Sequence, residues 1–286
     1  MSHSNAQAGA GTVPAALTIA GSDSGGGAGI QADLRTFLDF GVHGTAALTA
    51  VTAQNPQGVT GVGEITVDLV NRQIAAVLAA FNIRAIKTGM LSGEATVRCV
   101  AQQVAALSGI PLVVDPVMVA TSGATLLREN AVVALCDALL PCAAVITPNI
   151  PEAEILVGRG LPRDRDRIAA ASELAARFDC TAVLKGGHAD GSEAAVDYVS
   201  DGHRVWALAA ARIAAPTTHG TGCSFSAALA AALALGDGMA VALRKAKAYV
   251  GMALSGCVRV GPETWAMRAI SPRLDLTLDT VQFTEV

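Results

Sequence analysis

The chain is short of aromatic residues, carries no excess of basic charge, and has neither a paired-cysteine motif nor a long apolar run. Phe, Trp and Tyr together make up 3% of its 286 residues, which weakens any reading that stacks bases on aromatic side chains. Lys and Arg number 20 against 24 Asp and Glu, a net charge of −4. A binder of nucleic-acid backbone needs a basic face, so this balance argues against nucleic acid as a partner. A small anionic ligand remains open, because a few local groups hold one phosphate. The cysteines, Cys99, Cys136, Cys142, Cys180, Cys223 and Cys257, are scattered without a CxxC pair, which fits the reducing cytoplasm better than a disulfide framework or a zinc site. The most apolar stretch, Phe225 to Leu235, falls short of the roughly 20 residues that span a bilayer. The first residues lack the Lys or Arg that opens a secretory signal.

What is present is small and apolar. Hydrophobic residues make up 52% of the chain and the mean hydropathy is +0.46, much of it from alanine, which favours helices. Short β-prone runs alternate with helical patterns. ALTIA (16–20), GTAALTAVTA (44–53), AIKTG (85–89), PLVVDPVM (111–118), AAVITPN (143–149) and TAVLKGG (181–187) read as strands. Helices are predicted over 30–40, 67–81, 94–107, 151–157, 164–178, 224–234 and 239–258. Asp201-Gly202 between two β-prone runs, 195–199 and 203–207, signals a hairpin. Repeated strand–helix alternation predicts an α/β fold, a mostly parallel sheet covered by helices on both faces. With no repeat and no linker-like segment, residues 15–286 read as one domain behind a flexible tail, 1–14. The segment from Gly261 gives no clear signal.

The motifs all fall at the carboxyl ends of the predicted strands, where such folds bind ligands. GSDSGGGAG (21–29) has five glycines in nine residues, more than a turn needs, and leads into a helix whose N-terminus attracts anions. It is neither a dinucleotide fingerprint nor a Walker loop. HGTGC (219–223) precedes an Ala-rich helix. Gly220, Thr221 and Gly222 let successive N–H groups converge into an anion nest, and Cys223 falls in the first turn, where the helix dipole lowers a thiol pKa. Taken alone, HGTGC reads better as a helix start with a buried structural cysteine; the second glycine loop on the same sheet edge tips the balance to a ligand site.

TPNIPE (147–152) places Asn149 and Glu152 where they could hold a hydrated Mg²⁺ with a phosphate or simply cap a helix. Lys185, closing an apolar strand, can reach a nucleotide phosphate as a point charge or snorkel from the strand end. Asp115 is a metal-side carboxylate or a turn former. Gln54 offers one donor and one acceptor in a plane, a match for an aminopyrimidine edge and for many loop backbones. His188 reads as structural, and the other histidines as isolated.

In order and spacing, GSDSGGGAGIQADLRTF, AQNPQGV, KTGML, DPVMVATSG, ITPNIPEA, LKGGH and HGTGCSFSAALAA resemble the hydroxymethylpyrimidine/phosphomethylpyrimidine kinase family of the ribokinase-like superfamily. The resemblance runs from Ala16 to about Val258, and the Cys223 ending of HGTGC, where the superfamily's sugar kinases carry an Asp, is its sharpest mark. It implies a three-layer α/β/α ribokinase-like fold, a cytoplasmic homodimer, and two successive ATP-dependent phosphorylations of 4-amino-5-hydroxymethyl-2-methylpyrimidine in thiamine biosynthesis. It further implies that Gly21, Asp33, Gln54, Met90 and Val117 line the pyrimidine pocket. Gly220 to Cys223 would form the anion hole, with Cys223 at the acceptor hydroxyl. Asp115, Asn149 and Glu152 would organise Mg²⁺ and phosphates, and Lys185 would meet ATP. A pyridoxal or pyridoxine kinase and a catalytically silent ligand-binding protein of the same fold are the alternatives.

Overall fold

The computed structural model describes residues 12–118, 129–186, 193–268 and 276–286; His188 and the second half of DPVMVATSG lie outside them. Strand β1 (Ala15–Asp23) passes through the glycine-rich turn into α1 (Gly29–Asp39). A hairpin follows, β2 (His43–Asn55) and β3 (Gly58–Glu64), then α2 (Val67–Ala80), β4 (Ile83–Thr88), α3 (Glu94–Ala105) and β5 (Leu112–Val114). Helix α4 (Glu129–Ala134) runs on through tighter and wider turns over Leu135–Cys142 to β6 (Val145–Ile146). Next come α5 (Ile150–Val157), α6 (Asp164–Phe178), β7 (Thr181–Leu184), and the hairpin β8 (Ala194–Ser200) and β9 (Val205–Ala211). Helices α7 (Thr221–Ala234) and α8 (Met239–Ser255), a short ladder β10 (Val258–Arg259) with β11 (Trp265–Ala266), and β12 (Gln282–Glu285) complete the order.

One sheet carries the order β12-β9-β8-β7-β6-β5-β4-β1-β2-β3. Its centre, from β2 through β1, β4, β5 and β6 to β7, is parallel, and antiparallel strands extend both edges. Period-two alternation sorts the core. Leu17, Ile19, Ile86, Val114, Ile146 and Leu184 face the layer of α2, α3, α4 and α6. Ala16, Ala85, Val113, Val145 and Val183 face α1, α7 and α8. The second face is lined by smaller side chains. Alanine-rich α7 lies against it, flanked by α1 and α8, and is buried on nearly all sides, as an all-round apolar helix must be. Among the described residues no helix is long and apolar enough to cross a membrane.

The structure departs from the predicted elements in four places. Residues Gln54 and Asn55 end a strand rather than opening a loop. β3 escapes notice because its sequence, GVTGVGE, places glycines where a strand wants packed side chains. The helical stretch over 129–142 shows no clean period. The stretch from Gly261 contains both β11 and the edge strand β12, held by Arg244 on the Leu278 and Val281 carbonyls.

Candidate active site

The carboxyl ends of β1, β4, β5, β6 and β7 converge on the N-terminus of α7, which begins at Thr221, so the HGTGC residues themselves build its first turn. Gly220 caps it with φ 84°, and a Cβ there would strike the Gly27 carbonyl oxygen; only glycine fits both constraints. The Gly222 and Cys223 N–H groups find no acceptor among the described residues, as the first turn of a helix leaves them. They form a ready donor site for an anion.

Beside this nest stands a charged pair. Lys185 Nζ donates to Asp115 Oδ1 at 2.9 Å, and a Cβ on Gly222 would lie 3.3 Å from the same nitrogen. Asp115 is buried and also accepts from Thr147 Oγ1 and Ser226 Oγ. Burial alone would raise its pKa, but Lys185 and Lys87 outweigh that and hold it below the usual carboxylate range. Lys185 is held above the lysine range, burial being outweighed by Asp115 and Glu152. Asn149 and Glu152 form a reciprocal capping box at the start of α5. Burial, opposed by Lys185 and reinforced by Asp115, lifts Glu152 to about 7. The cap is therefore real, and the carboxyl still stands on the Lys185 side of the site.

A second pair lies beneath. Lys87 Nζ sits 2.7 and 2.9 Å from the two Asp33 oxygens, and Thr18 Oγ1 donates to Oδ2 at 2.6 Å; all three residues are fully buried. Asp33 thus occupies the floor, bonded to Lys87, rather than presenting a free carboxylate to a ligand. Burial pulls the Asp33 pKa up against Lys87. Burial also disfavours the Lys87 charge, but Asp33, Cys223 and Asp115 outweigh it and keep Lys87 protonated. The Cys223 thiol, above this pair, is pushed up to about 11 by burial, although Lys87 pulls the other way. This corrects the dipole argument: desolvation beats the helix end.

Of the other expected pocket residues, Gly21 and Met90 meet, since a Cβ on Gly21 would lie 2.5 Å from Met90 Cε. Gln54 is fixed by Ser24 Oγ on its main chain and Thr52 Oγ1 on its side-chain oxygen. Val117 follows Asp115, its N–H on the Asp115 carbonyl oxygen. Sequence reasoning missed Lys87, although a lysine inside an apolar strand demands a buried counter-charge. It also missed that His219 pairs with Asp23, Nε2 to Oδ2 at 3.0 Å.

A family profile described as phosphomethylpyrimidine kinase matches residues 23–268. The chain is 48% identical over 246 residues to a hydroxymethylpyrimidine/phosphomethylpyrimidine kinase of Rhizobium meliloti, covering 86% of this chain and 92% of that one. It is 42% identical to a thiamine biosynthesis bifunctional protein of Geobacter sulfurreducens, covering 83% of this chain and 48% of that one. The fold is similar to a pyridoxal kinase of Staphylococcus aureus in complex with AMP-PCP and pyridoxal, at 32% identity and TM-score 0.86, over 96% of this chain and all (100%) of that one.

Proposed function

The chain belongs to the phosphomethylpyrimidine kinase family, and from that premise we propose how its residues carry out two ATP-dependent phosphorylations in thiamine biosynthesis. The first gives the monophosphate of 4-amino-5-hydroxymethyl-2-methylpyrimidine, and the second gives the diphosphate. The observation that carries the reading is the pair of N–H groups at Gly222 and Cys223, without an acceptor among the described residues, beside the Lys185–Asp115 pair. Phosphoryl transfer asks a protein mainly for positioning and for fixed donors where charge spreads on the transferred group, and this edge offers both.

In each step an acceptor oxygen bonds to the γ-phosphorus of ATP while the bond to the ADP oxygen breaks. Lys185 meets the nucleotide phosphates as a point charge, and Asp115 aims it. The Gly222 and Cys223 N–H groups hold the transferring oxygens. Gly21, Met90, Gln54 and Val117 border the pyrimidine, with Asp33 acting from behind through Lys87. In the first step the hydroxyl proton passes to the small fraction of Cys223 present as thiolate. A loose transition state lets that proton leave late. In the second step the acceptor is a phosphate monoester, already mostly dianionic near neutrality.

Mg²⁺ fits this edge as an ion carried chiefly by the nucleotide. Among the described residues no group of three or more His, Cys, Asp or Glu side chains forms a cage, and a hydrated Mg²⁺ needs only one or two carboxylates plus phosphates. Asp115 and Glu152 would hold it, and its charge would offset that of the triphosphate. All six cysteines are unpaired, which supports a cytoplasmic setting. The half-exposed Val51 and Val62 on the β2–β3 hairpin support a homodimer that covers them.

The likeness to a pyridoxal kinase structure favours vitamin B6 phosphorylation as a second reading. Steady-state assays with ATP and each acceptor decide. We expect kcat/KM for both pyrimidine steps to exceed that for pyridoxal. Turnover of pyridoxal with none of either pyrimidine would overturn the assignment.

A further inference from the structure

Asp23 and His219 come from loops 196 residues apart in sequence. Asp23 ends β1 and is buried. Its Oδ1 accepts from Gly25 N–H at 2.8 Å, and its Oδ2 accepts from Gly27 N–H at 3.1 Å, Ala28 N–H at 2.8 Å and His219 Nε2 at 3.0 Å. One carboxylate therefore folds the glycine-rich loop around itself and ties it to the residue before the α7 cap. Burial would raise the Asp23 pKa, but His219 and the Ala28 and Gly25 N–H groups outweigh it and hold it below the usual range. A carboxylate is a pure acceptor, so Nε2 must carry the imidazole hydrogen.

The two loops fit without room to spare. A Cβ on Gly27 would lie 2.5 Å from His219 Cδ2, and one on Gly220 would strike the Gly27 carbonyl oxygen. Ser24 Oγ on the Gln54 carbonyl and Arg35 on the Gly26 carbonyl brace the loop from the other side. At its far end Ala28 packs on the α7 cap, a Cβ on Gly220 lying 3.6 Å from Ala28 Cα. The loop thus abuts the turn that carries Cys223, the nest's side chain with proton chemistry, and the Asp23–His219 contact fixes where it lands.

We propose that Asp23 and His219 are a positioning pair, a latch that holds the glycine-rich loop on the first turn of α7 and so restricts access to Cys223. Its effect on turnover rests on the kinase reading; its effect on Cys223 does not. The test is alkylation by iodoacetamide, read at each cysteine by peptide mass spectrometry. His219→Leu removes the donor, and Cys223 labelling is expected to rise roughly ten- to a hundredfold, the shift for one hydrogen bond to a charged group. Cys180, buried just before β7, should label as in the wild type. His219→Gln, whose amide nitrogen reaches the same point, should restore slow Cys223 labelling.

In the pyrimidine assay His219→Leu should lose kcat by about tenfold or more while KM for the pyrimidine stays within about twofold, the pattern of lost positioning rather than lost binding. Should Cys180 labelling rise as well, the variant is unfolding, and Asp23→Asn takes its place with the same two readouts. Unchanged Cys223 labelling in the folded variant overturns the latch and leaves the kinase assignment intact. A wild-type chain inert toward the pyrimidine would sink the kinase assignment and leave the labelling result to judge the latch.

Discussion

Replacing Glu152 by glutamine separates the two tasks this residue combines. Glu152 is only 3% exposed, exchanges hydrogen bonds with Asn149 at the start of α5, and is lifted by burial from 4.5 to about 7. A carboxyl group whose folded pKa lies above its unfolded one binds its proton more tightly in the native chain. Its stabilising contribution is therefore complete below the unfolded value, 4.5, and is lost as pH rises through about 7. The interval corresponds to roughly 3 kcal/mol well above neutrality. Glutamine keeps the shape and an oxygen for the Asn149 N–H, and it never ionises. Urea unfolding should thus find the two proteins alike at about pH 4.5, and Glu152→Gln more stable by roughly 2–3 kcal/mol at about pH 8.5. Activity should move the other way, falling in the variant and recovering in part as Mg²⁺ is raised. A stability gap that is the same at both pH values would refute the burial argument. A wild-type rate at low Mg²⁺ would confine Glu152 to capping.

Cys223→Ser keeps the nest N–H groups but removes the acid whose pKa is about 11. Single-turnover assays should show a loss on the order of 10²-fold in the first phosphorylation and a much smaller one in the second. In the wild type, the first step should speed up with pH beyond the point where the second levels off. Equal losses in both steps would mean that Cys223 shapes the anion hole only. Gly222→Val puts a branched side chain where a Cβ already lies 3.3 Å from Lys185 Nζ, so both steps should slow; a normal rate in either would contradict the shared nest. Lys87→Met strands the buried Asp33 carboxylate and should cost about 3–5 kcal/mol in urea unfolding. Adding Asp33→Leu should recover much of that, and strictly additive losses in the double variant would speak against the pair.

The central strands were legible because parallel strands buried on both faces read as unbroken apolar runs, as in Leu112–Val114 and Thr181–Leu184. The glycine loops were legible for a related reason: backbone that must turn or approach closely writes itself as glycine. Pairings left no such trace. Lys87 and Asp33 lie 54 positions apart, and nothing local says they meet. Helix position was readable for Cys223, but its pKa depends on how much water the folded neighbourhood removes. The capping box in TPNIPE was readable, whereas the placement of Glu152 beside Lys185 depends on how β6 and β7 are joined in the sheet. Their parallel ladder makes that join, and the isolated bridge between Asn149 and Lys185 carries it on to the site.

The packing of α7 sets how much change the site tolerates from each side. The helix is closed in by α1, α8 and the small-residue face of the sheet, and Ala227, Ala228, Ala230, Ala231 and Ala232 are wholly covered. An added methyl group has nowhere to go. A rigid rod pressed at its middle moves at its tip, and the tip here is the anion nest. Enlarging one of these alanines should therefore register as lost catalysis while the fold persists. Trimming a leucine or valine of α3 or α6, such as Val97 or Leu174, leaves a void on the other side of the sheet and should register as lost stability first. In a library of random variants, the two faces of one sheet would fail in different currencies.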